Sequence, residues 1–143
     1  MPLIRPATES DATAIAHVHI QSWRSTYAGI IPTPFLAALN EADRTAQWSE
    51  WLKLELPVYV ADHLGEIVGF IGGGPIREPV EPYDAELFAI YLLEGAQRQG
   101  TGSTLLKALA RELHQRGFTN LIAWVLESNV SRHFYEATGA HPI

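Results

Sequence analysis

The stretch "AELFAIYLLEGAQRQGTGSTLLKALARELHQRGF", residues 85–118, constrains the fold more than any other part of this chain. It opens on the run Ala85–Leu93, long, apolar and aromatic, which reads as a central buried strand. Gly100 and Gly102 follow, one residue apart. Leu105, Leu106, Leu109 and Leu113 then recur at helical spacing, and Gly117 supplies a C-terminal cap. A second apolar run, "NLIAWVL", reads as another buried strand and completes a strand–helix–strand unit.

The upstream half has a different rhythm. "VYVADHLGEIVGFIGGG" places two β-rich runs around the turn-like "DHLG", the pattern of a hairpin. "LIRPAT" reads as a short first strand. Thr8 is a candidate N-cap, with Asp11 three residues on in a capping-box-like arrangement, and Ala12, Ile15, Val18 (or His19) and Trp23 follow at helical spacing. "IPTPFLAALN" reads as a short Pro-initiated helix. "ADRTAQWSEWLKL" is a further helix with Trp48, Trp51 and Leu52 on one side, ended by Pro57, and "NVSRHFYEAT" is a short helix closed by Gly139. The expected architecture is one mixed α/β (α+β) domain over residues 1–143, with an antiparallel meander first and the strand–helix–strand unit after it.

Composition narrows the chemistry. The 143 residues include no cysteine, which excludes disulfides, thiolate metal sites and a cysteine nucleophile. The formal net charge of −6 argues against a nucleic-acid partner. No apolar run is long enough to span a bilayer, and the N-terminus lacks a signal-peptide core, so no membrane partner and a cytoplasmic location are expected. His17 and His19 stand two apart on a helix, on different faces, and do not make a metal pair.

The glycine pair at a helix start suits an anion, with a strand–helix turn as its plain reading. A helix N-terminus offers free N–H groups and the positive end of its dipole, and glycine lets a bulky phosphate approach. A P-loop would need Gly-Lys-Ser/Thr, and here Gly102 is followed by Ser103 and Thr104. A dinucleotide fingerprint would need a third glycine where Leu105 stands.

"QRQGTG", residues 97–102, instead matches Q/R-x-x-G-x-G/A. In the order and spacing of this loop, the hairpin, "IRPATESDATAIAHV" and "NVSRHFYEATGA", the chain resembles the GCN5-related N-acetyltransferases over nearly its whole length. The resemblance implies a mostly antiparallel twisted sheet flanked by helices. It implies acetyl-CoA as acyl donor and no metal. Gln97, Arg98, Gln99, Gly100, Thr101, Gly102 and Ser103 would hold the cofactor, with backbone N–H groups from Arg98 to Ser103 on the pyrophosphate. The strand end at Tyr91, Leu92 and Leu93 would pair with the pantetheine arm, and Asn129 would hydrogen-bond it. The acceptor would be a primary amine of a small molecule or peptide. A non-catalytic acyl-CoA sensor on the same fold is the alternative.

The chemistry needs a neutral amine, a donor for the oxyanion and a proton for the departing thiolate. By resemblance Tyr135 is the general acid, since a phenol keeps its proton at neutral pH. Glu86 is the candidate base: it opens the central strand, and alternation places it on one face with Phe88, Ile90 and Leu92. Such apolar neighbours predict a raised pKa. The plain reading of Glu86 is a solvated charge at a strand end. Trp23 and Tyr27 could line the acceptor site, with core packing as the plain reading of Trp23. Relatives continue past "FYEATGAHPI" with two more strands, so either further chain or a second copy in a homodimer is expected to cover the strand that holds Trp124.

Overall fold

The computed structural model describes residues 2–26, 32, 34 and 40–123. Three helices pack on a five-stranded sheet within these residues. In chain order they are β1 (Leu3–Pro6), α1 (Ala12–Thr26), α2 (Glu41–Leu52), β2 (Val58–His63), β3 (Glu66–Val80), β4 (Tyr83–Leu92), α3 (Thr101–Gln115) and β5 (Leu121–Ala123). The sheet order follows the sequence, β1-β2-β3-β4-β5, with every pair antiparallel except β4 with β5. The meander and the strand–helix–strand unit stand as the sequence predicts. The helices foreseen in "IPTPFLAALN" and "NVSRHFYEAT", the strand residue Trp124 and the cap Gly139 lie outside the described residues.

The local signals are visible as bonds. Leu64 and Gly65 carry the β2–β3 turn with φ of 53° and 92°, and the Asp62 carboxylate accepts from the Gly65 N–H at 2.8 Å. Ahead of α1, the Asp11 carboxylate accepts from the Thr8 N–H at 2.8 Å and from the Arg5 guanidinium at 2.9 and 3.0 Å. Asn40 caps α2 through Asp43 N–H at 3.1 Å. At the end of α3, Gly117 N–H donates to His114 O and Phe118 N–H to Leu113 O, a Schellman closure with Gly117 at φ 98°.

Two apolar clusters lie on the two faces of the sheet. Leu105, Leu109 and Leu113 of α3 pack with Ala61, Ile71, Ala85 and Leu87. Ile15 and Val18 of α1 and Trp48 of α2 pack with Val60 and Phe70. Between these layers β4 is bulged. Gly72 pairs with Ala89 and Gly73 with Leu87, so Phe88 has no partner on β3. Gly73 is what lets the strands close up here: a Cβ on it would meet the Glu86 carbonyl oxygen at 2.7 Å and Leu109 at 3.1 Å.

The bulge overturns one expectation. Simple alternation groups Glu86 with Ile90 and Leu92. In the structure Ile90 and Leu92 pack into the α3 cluster beside Leu87, while Ala89 and Tyr91 pack toward α1 and α2. One inserted residue reverses the sidedness of everything after it.

Candidate active site

The end of β4 and the start of α3 form one continuous turn. Leu93 N–H donates to Val68 O at 2.8 Å, and the one-turn helix Glu94–Ala96 then leads to the loop. Two of the loop's polar side chains tie it down: Gln97 Nε2 donates to Leu92 O at 3.1 Å and Gln99 Nε2 to Gly95 O at 3.2 Å. Arg98 takes a φ of 63° and Gly100, the N-cap of α3, a φ of 82°. Among the described residues nothing beyond its chain neighbours lies within 4 Å of the point where a Cβ on Gly100 would stand. The first-turn N–H groups of Thr101, Gly102 and Ser103 have no acceptor within the helix, and the dipole makes this end positive. The Thr101 hydroxyl, in a residue 1% exposed, has no hydrogen-bond partner among the described residues. Open space over Gly100 and first-turn N–H groups without a helical acceptor fit a phosphate group.

Along β4, Leu92 O accepts from Ser22 Oγ of α1 at 3.3 Å as well as from Gln97. The Leu92 carbonyl and the Leu93 N–H are thus already engaged within the chain. A cleft of about 450 Å³ opens beside them, lined by His17, Gln21, Ser22, Ser25, Leu93 and Glu94. The described pairing with β5 covers Ala85 to Leu87.

Glu86 departs from its expected electrostatics. Its side chain is 4% exposed, and Arg77 surrounds it. The Arg77 backbone N–H and Nε donate to Oε1 at 3.1 and 3.2 Å, and Nη2 donates to Oε2. The hydrogen bonds from the Arg77 side chain hold the Glu86 carboxyl below its ordinary pKa, against the opposing effect of burial. The predicted raised pKa is therefore corrected to a lowered one. Sequence reading missed Arg77, although it is the only lysine or arginine between Lys53 and Arg98. Its guanidinium carbon lies 4.4 Å from the centre of the Phe88 ring, over the bulge.

Trp23 belongs to an aromatic group inside the α1–sheet interface. Its indole N–H donates to the Tyr91 hydroxyl at 2.7 Å. His19 stacks on the Tyr91 ring at 5.1 Å and accepts at Nδ1 from Trp48 Nε1 at 3.1 Å. Burial pushes His19 down to about 4, helped by the positive charge of Arg44, so the ring is neutral with its proton on Nε2. His17 is instead half-exposed and bonds Glu41 at 2.8 Å. Among the described residues no three His, Asp or Glu side chains gather as a metal site, and no helix is long and apolar enough to cross a membrane. Tyr27, Asn129 and Tyr135 lie outside the described residues.

A bulged β4 leading into a glycine-started α3, on a sheet antiparallel until β5, defines an acetyltransferase fold. The model of the acetyltransferase (GNAT) family matches residues 19–140, and the chain belongs to that family. It is 47% identical over 139 residues to the uncharacterized N-acetyltransferase YuaI of Bacillus subtilis, covering 96% of this chain and 79% of that protein. It is 28% identical, over the same shares, to the probable N-acetyltransferase Rv2775 of Mycobacterium tuberculosis. The PaiA N-acetyltransferase of Thermoplasma acidophilum, solved in complex with coenzyme A, matches with a TM-score of 0.81 at 19% identity, over 100% of this chain and 91% of that one. The aminoglycoside N-acetyltransferase AAC(6')-Iy, solved with CoA, matches at 0.80 and 18% over 99% and 89%. The protein is an N-acetyltransferase.

Proposed function

We infer that residues 1–143 form one N-acetyltransferase domain, which takes its acetyl group from acetyl-CoA and passes it to a primary amine by direct attack. The observation that carries the reading is the start of α3, where a left-handed Gly100 leaves open space beside the first-turn N–H groups of the helix. When bound, acetyl-CoA supplies an activated thioester. The residues from Gln97 to Ser103 hold its pyrophosphate, chiefly through backbone N–H groups from Arg98 onward. The free edge of β4 at Tyr91–Leu93 orients the pantetheine arm as an added strand would. With Leu92 O and Leu93 N–H spoken for, the Leu92 N–H is the main-chain donor left for that edge.

The amine must lose a proton, since an alkylammonium titrates near about 10.4. Glu86 is the base, ionised in the resting enzyme and reached through water because Arg77 donates to both its oxygens and the side chain is almost fully buried; it takes up the amine's proton and then returns it to solvent. By the sequence resemblance Tyr135 protonates the departing thiolate, Asn129 bonds the pantetheine arm and Tyr27 borders the acceptor. Trp23 shapes the acceptor side through its bond to Tyr91. The acceptor is a small molecule or a peptide, and a homodimer is the proposed assembly.

Gly102→Glu tests the assignment of the cofactor site, because it puts bulk and negative charge at the first turn of α3. Acetyl-CoA should raise the melting temperature of the parent and leave that of the variant almost unmoved. Equal shifts in both would remove the pyrophosphate from this loop.

A further inference from the structure

Arg77 is the group that acetyl transfer leaves over. A typical surface arginine is free to wave, but this one is fixed on two sides. Nε and Nη2 face Glu86, and the ring of Phe88 lies 4.4 Å beneath the guanidinium. The side chain is nevertheless 64% exposed, and Nη1 has no hydrogen-bond partner among the described residues. Its rotamer freedom is already spent, so an anion that docks in the guanidinium plane orders little more.

Its position matters as much as its order. With the pantetheine arm along Tyr91–Leu93, the thioester lies toward the bulge, and Phe88 is three residues back from Tyr91, about 10 Å of strand. Arg77 sits over Phe88, so with the thioester at the bulge it would flank the attacking amine. An acceptor with a carboxylate a few bonds from its amine can bond the free Nη1 edge while the amine faces the thioester. Glu86 balances the arginine's charge when the site is empty, so the N–H edge, not a bare cation, reads the anion. Glu78 is the other charge that acts on Arg77, while Asp84 across the hairpin is engaged by the N–H groups of Thr119 and Asn120.

We propose that Arg77, fixed by Glu86 and Phe88, anchors a carboxylate on the acceptor, which makes a free amino acid rather than a plain amine the substrate class. This rests on the reading that the acceptor meets the thioester at the β4 bulge.

The test offers each proteinogenic amino acid beside its own carboxamide, with acetyl-CoA as donor and thiol release as readout. The carboxamide's amine is the less basic and so the more readily neutral, which makes a preference for the acid diagnostic. The parent should favour the best acid over its carboxamide by about 10- to 100-fold in kcat/KM. Arg77→Met alone strands a buried carboxylate, so the informative variant is Arg77→Met with Glu86→Gln, a neutral pair. Because Glu86 is also the proposed base, the double variant is read by binding rather than by turnover, while Arg77→Lys should keep part of the parent's kcat/KM preference. A second readout needs no turnover: the dissociation constant of the N-acetylated acid, measured with CoA present, should weaken in the double variant by the same factor. That of its carboxamide should not move. Equal use of acid and carboxamide by the parent, acetylation of simple amines alone, or a binding preference for the acid that survives in the double variant would overturn the anchor. Failure of the parent to bind acetyl-CoA would instead overturn the functional reading beneath it.

Discussion

Removing Arg77 should expose how much of the fold at the bulge hangs on one ion pair. Arg77→Met keeps a long side chain to cover Phe88 but deletes the guanidinium donors to Glu86, leaving only the backbone N–H at 3.1 Å. Stranding one partner of a fully buried pair costs about 3–5 kcal/mol. Here Glu86 is 4% exposed but Arg77 is 64% exposed, so water can enter once the side chain shortens. We therefore expect about 2 kcal/mol at pH 7, or about 6 °C in Tm for a chain of this size. The sign with pH follows from the lowered pKa. Glu86 in the parent stabilises fully above its ordinary value of 4.5 and loses that contribution as pH falls through its lower folded pKa. In the variant the unpaired carboxyl is no longer held down, so it takes up a proton earlier. The stability gap between parent and variant should thus narrow from pH 7 to pH 4. Urea unfolding at the two pH values measures this, and adding Glu86→Gln should recover most of the loss. A gap that is constant with pH, or a pH 7 cost below about 1 kcal/mol, would refute the argument, since exposed pairs reach no further than that range.

Other outcomes follow from the same structure. Leu109→Ala empties a fully buried site between α3 and the sheet and should cost about 3 kcal/mol in urea unfolding. Gly100→Val forces a β-branched residue to φ 82°, so it should lose about 2 kcal/mol in urea unfolding and show a smaller thermal shift with acetyl-CoA. His19 is neutral in the folded chain down to about pH 4, while the unfolded chain takes a proton near 6.5, so stability falls as pH drops through that window. Relative to His19→Gln, which keeps an acceptor for Trp48, the parent should lose roughly 2–3 kcal/mol more between pH 7 and 4 in denaturant titrations.

The sequence made some of this legible and hid the rest for physical reasons. The loop and α3 could be read because glycine spacing, a leucine stripe and a C-terminal glycine each carry a local signal, and all three agree. The β2–β3 turn was equally plain in "DHLG". The bulge was not, because an inserted residue at Phe88 leaves the composition of β4 unchanged and reverses only its later faces. The environment of Glu86 was missed because its partner stands nine residues away across a hairpin, where only the isolation of Arg77 in the sequence hinted at a role. His19 read as one more helix position, and apart from Trp23 on its own helix its aromatic neighbours come from α2, β3 and β4, which no local pattern joins. The roles of Asn129 and Tyr135 rest on the resemblance of their segment to the family.

Amine-dependent release of CoA thiol tests the central claim most directly. Purified protein is mixed with acetyl-CoA and each member of a panel of amino acids, simple amines and peptides, with Gly102→Glu as control. The account predicts thiol release that requires both acetyl-CoA and an amine, with the acetylated amine found in equal amount, and loss of that release in Gly102→Glu. A protein that binds acetyl-CoA tightly yet releases no thiol above the hydrolysis background with any amine, or a Gly102→Glu variant as active as the parent, would contradict it.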